Sequence, residues 1–324
     1  MAALFNHAHN LDPADQASQQ GLFEPAPNLS SLKVGALLNT ASGSCDADAE
    51  ADLVEICGAS GIDLAKVWCV QGPRMPTALA EAKAFGLHLL IVLGGDGTIR
   101  SAAALCAQEG PMLIPLPGGT MNMLPKAFYG PRSWREALRD TLSAPVLQAV
   151  SGGEVAGERF YVAGIFGNPS LWAKAREAVR EGDLALALEH GHTALEKSFA
   201  GGLRHDVNGV SDEVQAVSVL CPLTSRALSP DAPALEVAAL NPNGAFSALK
   251  LVLRGLVSDW RTDSSVTVER AANFRLTSQE PIPAILDGES MTLSPSETVR
   301  FVPRAFKAVR PAPQPTAVSA EQPA

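Results

Sequence analysis

The chain has 324 residues, of which 46% are hydrophobic and 18% are charged, and its formal net charge is −9. This length favours two domains, and the apolar fraction is large enough for a sizeable core. The acidic balance argues against a nucleic-acid-binding protein, because phosphate backbones are bound by surfaces rich in Lys and Arg.

No apolar run approaches the ~20 residues that span a bilayer, and the first residues lack the basic start and apolar run of a signal peptide. We therefore expect a cytoplasmic protein without a transmembrane segment. Peripheral attachment to the inner face of the membrane is left open, and so is assembly into a homodimer.

Strand and helix patterns alternate in the first half of the chain. Apolar runs typical of strands occupy residues 32–38, 64–70, 87–93 and 112–116, and helical patterns occupy residues 46–61, 75–86 and 98–110. This alternation predicts a doubly wound α/β domain with a parallel sheet, which we place at residues 31–144. Residues 1–30 and 312–324 are rich in polar residues and Pro, and we expect a disordered head and tail there.

The residue pattern changes after about Ala144, where alternating apolar and β-branched residues indicate strands. Two helical stretches interrupt them, at residues 171–200 and 246–260. For residues 145–311 we predict a β-sandwich-like domain with inserted helices. We leave open whether the last segment of this domain returns to the first domain. The predicted fold class is therefore α/β plus β.

Three of the predicted parallel strands end in glycine-rich loops: NTASG (39–43), GGDGT (94–98) and PGGTMN (117–122). Ligands of open α/β sheets bind beyond the carboxyl ends of the strands, where backbone N–H groups and helix N-termini favour phosphate. We expect Thr98 to cap the following helix, and Ser42, Thr120 and Asn122 to offer side-chain hydrogen bonds. The usual nucleotide motifs do not fit, because there is no GxxxxGK[ST] and Arg100 replaces the third glycine of GxGxxG.

Asp96 is unexpected in a loop suited to phosphate, since two negative groups repel each other. Either a bridging Mg²⁺ or proton transfer from an attacking hydroxyl group to the carboxylate would relieve the repulsion. Both arrangements indicate phosphoryl transfer. The alternative is a helix cap or an Asx-turn in a loop that binds nothing.

These loops resemble motifs of the diacylglycerol kinase catalytic-domain family, a group of lipid kinases related more distantly to NAD kinases. A fourth segment, AILDGE (284–289), is similar to the family's Asp-Gly-Glu, and the resemblance extends from about Lys33 to Pro311. It implies an ATP-binding kinase domain followed by a lipid-substrate domain, with ATP and Mg²⁺ as ligands. The implied nucleotide-binding residues are Asn39, Ser42, Gly43, Gly94, Gly95, Asp96, Gly97, Thr98, Gly119, Thr120 and Asn122.

The resemblance also implies catalytic roles for Asp96 and Glu289, with Glu289 taking the proton of a lipid hydroxyl group. From the residues alone, Asp287–Gly288 is equally a type I′ hairpin turn, and the two interpretations are compatible. The implied metal ligands are Asp96 and Glu236. Glu236 is the one anionic residue that remains where family members carry Asp-Asp-Gly beside a structural metal.

The resulting prediction is an ATP-dependent lipid kinase that phosphorylates a lipid presented at a membrane surface. Diacylglycerol is the first choice of acceptor, with ceramide or a sphingoid base as further acceptors. Arg100 and Lys126 are candidate phosphate contacts. The chain departs from the family pattern at Arg100, Ser101 and residues 235–237. These departures motivate one alternative, a non-catalytic nucleotide or lipid sensor. The other alternative is an NAD-kinase-like enzyme acting on a soluble substrate.

Overall fold

The structure is a computed structural model that describes residues 23–107, 109–167, 202–240 and 266–313. The helical stretches expected at residues 171–200 and 246–260 lie outside these ranges, as do most of the expected head and tail. Within the described ranges, no helix combines the length and the apolar character needed to cross a membrane.

The first part of the chain alternates strands and helices, as its sequence pattern predicts. The strands are β1 (Phe23–Pro25), β2 (Val34–Asn39), β3 (Leu64–Val70), β4 (Leu89–Gly94) and β5 (Met112–Pro117). The helices are α1 (Ala49–Ala59), α2 (Met75–Ala84), α3 (Asp96–Leu105), α4 (Met123–Tyr129) and α5 (Trp134–Ser143). Strands β2 to β5 pair in parallel, and every residue of β4 is buried, as expected for a strand covered on both faces.

The second part of the described chain is built of strands. They are β6 (Pro145–Val155), β7 (Glu158–Phe160), β8 (Ala163–Gly167), β9 (Leu203–Val207), β10 (Val210–Val214), β11 (Ala216–Leu220), β12 (Leu235–Leu240), β13 (Val266–Ala271), β14 (Asn273–Thr277), β15 (Ile282–Leu286), β16 (Glu289–Leu293) and β17 (Ser296–Pro311). Their pairings with one another are antiparallel.

Two sheets result. The larger sheet has eleven strands, with the main order β10-β9-β14-β17-β5-β4-β2-β3, and β6 joins it beside β17 together with β1 and β7. The smaller sheet has six strands, in the order β13-β12-β11-β8-β15-β16. A mixed α/β protein with two sheets is thus confirmed, whereas the β-sandwich-like architecture of the second domain stays a prediction.

Strand β17 joins the two parts of the larger sheet. It runs parallel to β5, with Ala308 opposite Leu113, and antiparallel to β6 and β14. A separate apolar cluster takes residues from both sheets, including Phe160 and Phe274 from the larger and Phe166 from the smaller. The two sheets therefore share buried surface. The chain passes from the larger sheet to the smaller sheet between β7 and β8.

Several sequence-based boundaries differ from the structure. Residues 23–30 are not part of a disordered head, because β1 pairs with β6 and Asn28 caps a short 3-10 turn. Helix α3 begins at Asp96 instead of residue 98 and ends at Leu105 instead of residue 110. Helix α5 was not predicted, although Ser133 and Glu136 form a capping box at its start.

Candidate functional site

The glycine-rich segments lie at the carboxyl ends of β2, β4 and β5. We call them the Asn39 loop (residues 39–43), the Asp96 loop (residues 94–98) and the Asn122 loop (residues 117–122). Because β4 pairs with both β2 and β5 in parallel, the three loops meet at one edge of the sheet.

Hydrogen bonds join the Asn39 loop to the other two. The Asn39 side chain donates from Nδ2 to Oγ1 of Thr98 over 3.0 Å, and the Ser44 N–H donates to the carbonyl oxygen of Gly118 over 2.9 Å. The expectation that Thr98 caps α3 is wrong. Gly95 is the N-cap residue and has no side chain to form a capping hydrogen bond, and the Thr98 hydroxyl accepts from Asn39.

Close backbone packing explains several glycines of this edge. A Cβ atom on Gly118 would lie 2.8 Å from the backbone nitrogen of Gly94, and one on Gly119 would lie 2.7 Å from Cα of Gly95. Such distances are too short for real Cβ contacts, so the Asp96 and Asn122 loops can approach each other only as glycine backbones. Gly43 differs, since a Cβ atom there would meet nothing within 4 Å.

The Asp96 carboxylate is bound to the neighbouring loop. It accepts hydrogen bonds from the backbone N–H of Asn122, over 2.9 Å, and from that of Met123. This is a third way to compensate the charge, one that the sequence argument did not consider. A cation or a proton is therefore not required to account for an aspartate at this position.

Burial raises the pKa of Asp96 above its ordinary value, because the partly enclosed carboxylate has lost solvating water. The two backbone hydrogen bonds oppose this rise, and so does the positive charge of Lys126. The negative charge of Glu289 adds to the rise. Asp96, Lys126 and Glu289 therefore share one electrostatic environment.

Asn122 organises its own loop. Its backbone is left-handed, with φ of 51°, its side-chain oxygen accepts from the Gly119 N–H over 2.7 Å, and its Nδ2 donates to the Gly119 carbonyl oxygen over 2.6 Å. The residue is also buried. Since the amide is engaged on both sides, the structure shows Asn122 as a residue that shapes the loop, and its contact with a nucleotide stays a prediction.

Glu289 reaches this edge from the smaller sheet. It follows a two-residue turn between β15 and β16, in which Leu286 pairs with Glu289. Asp287 and Gly288 both have positive φ, of 47° and 91°, as a type I′ turn requires. Glu289 is exposed, and its Oε1 atom lies 2.9 Å from the position of a Cβ atom on Gly97. The structure thus brings together the two predicted catalytic residues.

Asp287, directly before the turn glycine, is a residue whose role the sequence did not reveal. It is buried, and its carboxylate accepts from the backbone N–H of Tyr161 (2.7 Å), Val162 (2.9 Å) and Ala163 (3.0 Å). Burial raises its pKa to about 6, against the opposing effects of these three hydrogen bonds and of the charge of Arg100. The only sequence signal was the Asp-Gly pair itself, which indicates a turn and says nothing about a distant partner.

Some polar groups at the edge are available to a ligand. Within the described part of the chain, the hydroxyl groups of Ser42 and Thr120 have no hydrogen-bond partner in the protein. Thr120 and Gly43 are exposed, and Ser42 is half-buried. These groups, the N-terminus of α3 and Lys126 form a surface that suits an anionic ligand.

Two predicted residues are engaged elsewhere. Arg100 pairs with Glu158 of β7, with 3.6 Å between Nη2 and Oε2, so we no longer expect it to contact phosphate. Glu236 lies fully buried in β12, where its carboxylate accepts a hydrogen bond from the Ser225 hydroxyl. The described ranges contain no group of three His, Cys, Asp or Glu side chains that could hold a metal ion, so the metal roles of Asp96 and Glu236 stay predictions.

Comparison with known proteins agrees with the motifs. Residues 33–152 match the family described as Diacylglycerol kinase catalytic domain. A solved structure of a "putative diacylglycerol kinase" from Bacillus anthracis str. Sterne has a TM-score of 0.64 at 19% identity, covering 86% of this chain and 98% of its own. Another, described as a diacylglycerol kinase from the same strain, has a TM-score of 0.62 at 16% identity, covering 86% and 97%. No curated protein sequence matches this chain significantly.

At these identities, the structural likeness shows a shared fold. The family match covers the Asn39, Asp96 and Asn122 loops, whereas Glu289 lies beyond it. The resemblance to the diacylglycerol kinase catalytic-domain family inferred from the motifs is therefore confirmed over residues 33–152.

Proposed function

We propose that this protein is an ATP-dependent lipid kinase, which transfers the γ-phosphate of ATP to a hydroxyl group of a diacylglycerol-type lipid. The contact between Glu289 and Gly97 is the observation that carries the proposal. It places an exposed carboxylate from the smaller sheet at the start of α3, beside Asp96 and among three loops suited to phosphate. A phosphate-binding edge and a proton acceptor at one place are what transfer to an alcohol needs.

The proposed triphosphate site is formed by the Asn39, Asp96 and Asn122 loops. The hydroxyl groups of Ser42 and Thr120 donate hydrogen bonds to phosphate oxygens, and Gly43 leaves the space that a side chain would otherwise fill. The N-terminal end of α3 and the Lys126 ammonium group supply positive potential. In this proposal the chain mainly positions the phosphates and stabilises their charge.

The Asp96 carboxylate fits a magnesium ion in the manner common for nucleotide enzymes. Mg²⁺ is usually held by one or two carboxylates together with substrate phosphates, and Asp96 can supply one of them while Glu289 stays free to take a proton. Bound there, the ion would neutralise charge on the phosphate oxygens. Since both Asp96 oxygens already accept backbone hydrogen bonds, each can offer only its remaining lone pair.

Glu289 is the proposed proton acceptor. Its carboxylate is exposed, so a hydroxyl group of a bound lipid can approach it, and it stands next to the helix end that faces the phosphates. As the hydroxyl oxygen attacks the γ-phosphorus of ATP, the bond from this phosphorus to the β–γ bridging oxygen breaks and ADP leaves, while the hydroxyl proton passes to the Glu289 carboxylate. Asp96 keeps the Asn122 loop in place during this step.

The lipid class rests on the family match, since the described residues contain no short motif that identifies an acceptor. A lipid of this kind is presented to the enzyme at a membrane surface. Ceramide and sphingoid bases carry the same reactive group and are further candidate acceptors.

The test is incubation of the protein with γ-labelled ATP, magnesium and a total lipid extract, followed by identification of the labelled lipid. We expect a labelled diacylglycerol product, and a loss of about 10²–10⁴-fold in Glu289→Gln. Glu280→Gln is the matched control, because Glu280 is an exposed glutamate in the turn before β15. It should retain wild-type activity.

Two other outcomes would overturn the proposal. Labelling of NAD⁺ but of no lipid would indicate an NAD-kinase-like enzyme. Binding of ATP, measured by calorimetry, without transfer to any component of the extract would indicate a sensor that retains the fold.

A further inference from the structure

We propose that Asp287 is a positioning residue, which fixes the direction in which the Glu289 carboxylate points. This inference rests on the proposed function of the site. Asp287 lies two residues before Glu289 and its hydrogen bonds go to residues 161–163, so it would act through the β15–β16 turn.

Three backbone hydrogen bonds hold the Asp287 carboxylate. All three backbone N–H groups from Tyr161 to Ala163 donate to Asp287, one to Oδ2 and two to Oδ1, and the Asp287 N–H donates back to the Ala163 carbonyl oxygen over 2.9 Å. Hydrogen bonds to an ionised acceptor are the stronger kind, and these are shielded from water. The turn is therefore attached firmly to residues 161–163.

Residues 161–163, to which Asp287 bonds, lie where the two sheets are joined. Residues 161 and 162 connect β7 of the larger sheet to β8 of the smaller sheet, and Ala163 is the first residue of β8. Asp287 thus fastens the turn at the place where the chain passes from one sheet to the other. The orientation of the turn is tied to this connection as well as to the strands β15 and β16.

The backbone between Asp287 and Glu289 has little conformational freedom. A two-residue turn with positive φ at both positions is short and stiff. Gly288 also packs toward the Asn122 loop, since a Cβ atom on it would lie 3.7 Å from the sulfur atoms of Met121 and Met123. In contrast, no described hydrogen bond or ion pair holds the Glu289 side chain itself. Its direction is therefore set by the backbone of the turn.

A competing explanation is that Asp287 only favours the turn conformation. Asp and Asn both tolerate the left-handed region, so Asn would serve that purpose equally well. The two roles separate in Asp287→Asn. An asparagine keeps one acceptor oxygen, and its NH₂ group replaces the other. Two hydrogen-bond donors, the NH₂ group and the backbone N–H that it faces, would then meet without an acceptor.

The experiment is a double-mutant cycle with Asp287→Asn and Glu289→Gln, in which kcat and KM for ATP are measured below the unfolding temperature. We expect Asp287→Asn to lower kcat about tenfold or more in the wild-type background, with KM for ATP unchanged. In the Glu289→Gln background it should cause no further loss, because the residue that it positions is already disabled. Equal losses in both backgrounds, or wild-type kcat in the single variant, would overturn the inference.

Hydrogen exchange gives a readout that does not require transfer. In Asp287→Asn the amides of residues 161–163 should exchange about tenfold faster or more, while those of α3 keep their wild-type rates. If the wild type transfers no phosphate, the proposed function fails. Unchanged exchange at residues 161–163 in Asp287→Asn would also overturn the attachment of the turn to these residues. If transfer occurs but the cycle is additive, the function stands and the positioning role falls.

Discussion

Gly97 of helix α3 and Glu289 of the smaller sheet meet at the proposed site, where Oε1 of Glu289 lies 2.9 Å from the place of a Cβ atom on Gly97. Gly97 has no positive φ that would require glycine, and it lies in the first turn of α3. The absence of a side chain at Gly97 therefore leaves room for the Glu289 carboxylate, and any larger residue at position 97 would occupy the same space.

Gly97→Ala should separate activity from stability. The new methyl group would displace the flexible end of Glu289, so we expect phosphate transfer to fall about tenfold or more, as for other misplaced catalytic groups. The free energy of unfolding should stay the same or rise by up to about 1 kcal/mol, because alanine favours the helix. Initial rates and urea unfolding of the same preparation measure both quantities.

Gly58→Ala is the matched control for this change. Gly58 is also a helical glycine, near the end of α1, and a Cβ atom there would meet nothing within 4 Å. The free energy of unfolding of Gly58→Ala should change in the same direction as that of Gly97→Ala. Its rate of phosphate transfer should equal that of the wild type. Equal activity in the two variants would contradict the role assigned to the contact.

Asp96→Asn should remove transfer and also weaken the fold. Asparagine keeps one acceptor, so the N–H of either Asn122 or Met123 loses its partner. We expect a loss of about 1–3 kcal/mol in the free energy of unfolding, with a cooperative transition retained. Asp63→Asn, at an exposed position, is the control and should leave both properties unchanged. Turnover near the wild-type rate in Asp96→Asn would show that the site lies elsewhere.

The titration of Asp287 should appear in the pH dependence of stability. Its pKa is about 6 in the folded protein and 3.8 ordinarily, so between these values the folded state holds a proton that the unfolded chain has lost. The contribution of this group to stability is therefore full below about pH 4, declines as pH rises, and reaches its minimum above about pH 6.

The measurement is the difference in unfolding free energy between wild type and Asp287→Asn across this pH range. The wild type should lose stability relative to the variant as pH rises, with a slope of up to about 1.4 kcal/mol per pH unit. A difference that grows in favour of the wild type would mean that the three hydrogen bonds outweigh burial and that the pKa lies below its ordinary value.

Ser225→Ala should destabilise the smaller sheet. The Ser225 hydroxyl donates to the buried Glu236 carboxylate and accepts from the backbone N–H groups of Ala227 (3.1 Å) and Leu228 (2.9 Å). Its removal should cost about 1–3 kcal/mol in the free energy of unfolding. Ser211→Ala, on the exposed face of β10, should change stability by less than about 0.5 kcal/mol. Similar values for both variants would contradict the importance of the Ser225 hydroxyl.

Chelation of divalent metal should leave the unfolding temperature unchanged. Glu236 is satisfied by a protein hydrogen bond, and no group of three potential ligands occurs among the residues that the structure describes. Thermal unfolding with excess EDTA and with excess magnesium chloride provides the comparison. A fall of several degrees on chelation would instead support the metal role first predicted for Glu236.

The fold class and the assembly of the site followed from local patterns. Apolar runs that stop at glycines, as at residues 89–94, identify buried parallel strands, and loops that follow such strands must share an edge. The Asp287–Gly288 pair likewise predicted the hairpin that carries Glu289. These features are encoded within about ten residues of chain, which is why the sequence reveals them.

The partners of individual side chains could not be predicted in this way. Asp96 bonds to residues 26 and 27 positions away, and Asp287 bonds to residues 124 to 126 positions away. No pattern in one sequence reports such pairings, because they depend on how the sheets pack. For the same reason Thr98 was assigned to a cap, although its hydroxyl meets Asn39.

The central place of β17 has a consequence for how the protein is made. During synthesis the ribosome delivers β2 to β5 early, yet β5 keeps an unpaired edge until residues 296–311 emerge and settle beside it. An open parallel edge of this kind can pair with other chains. The nascent protein should therefore depend on protection by chaperones until β17 has been translated.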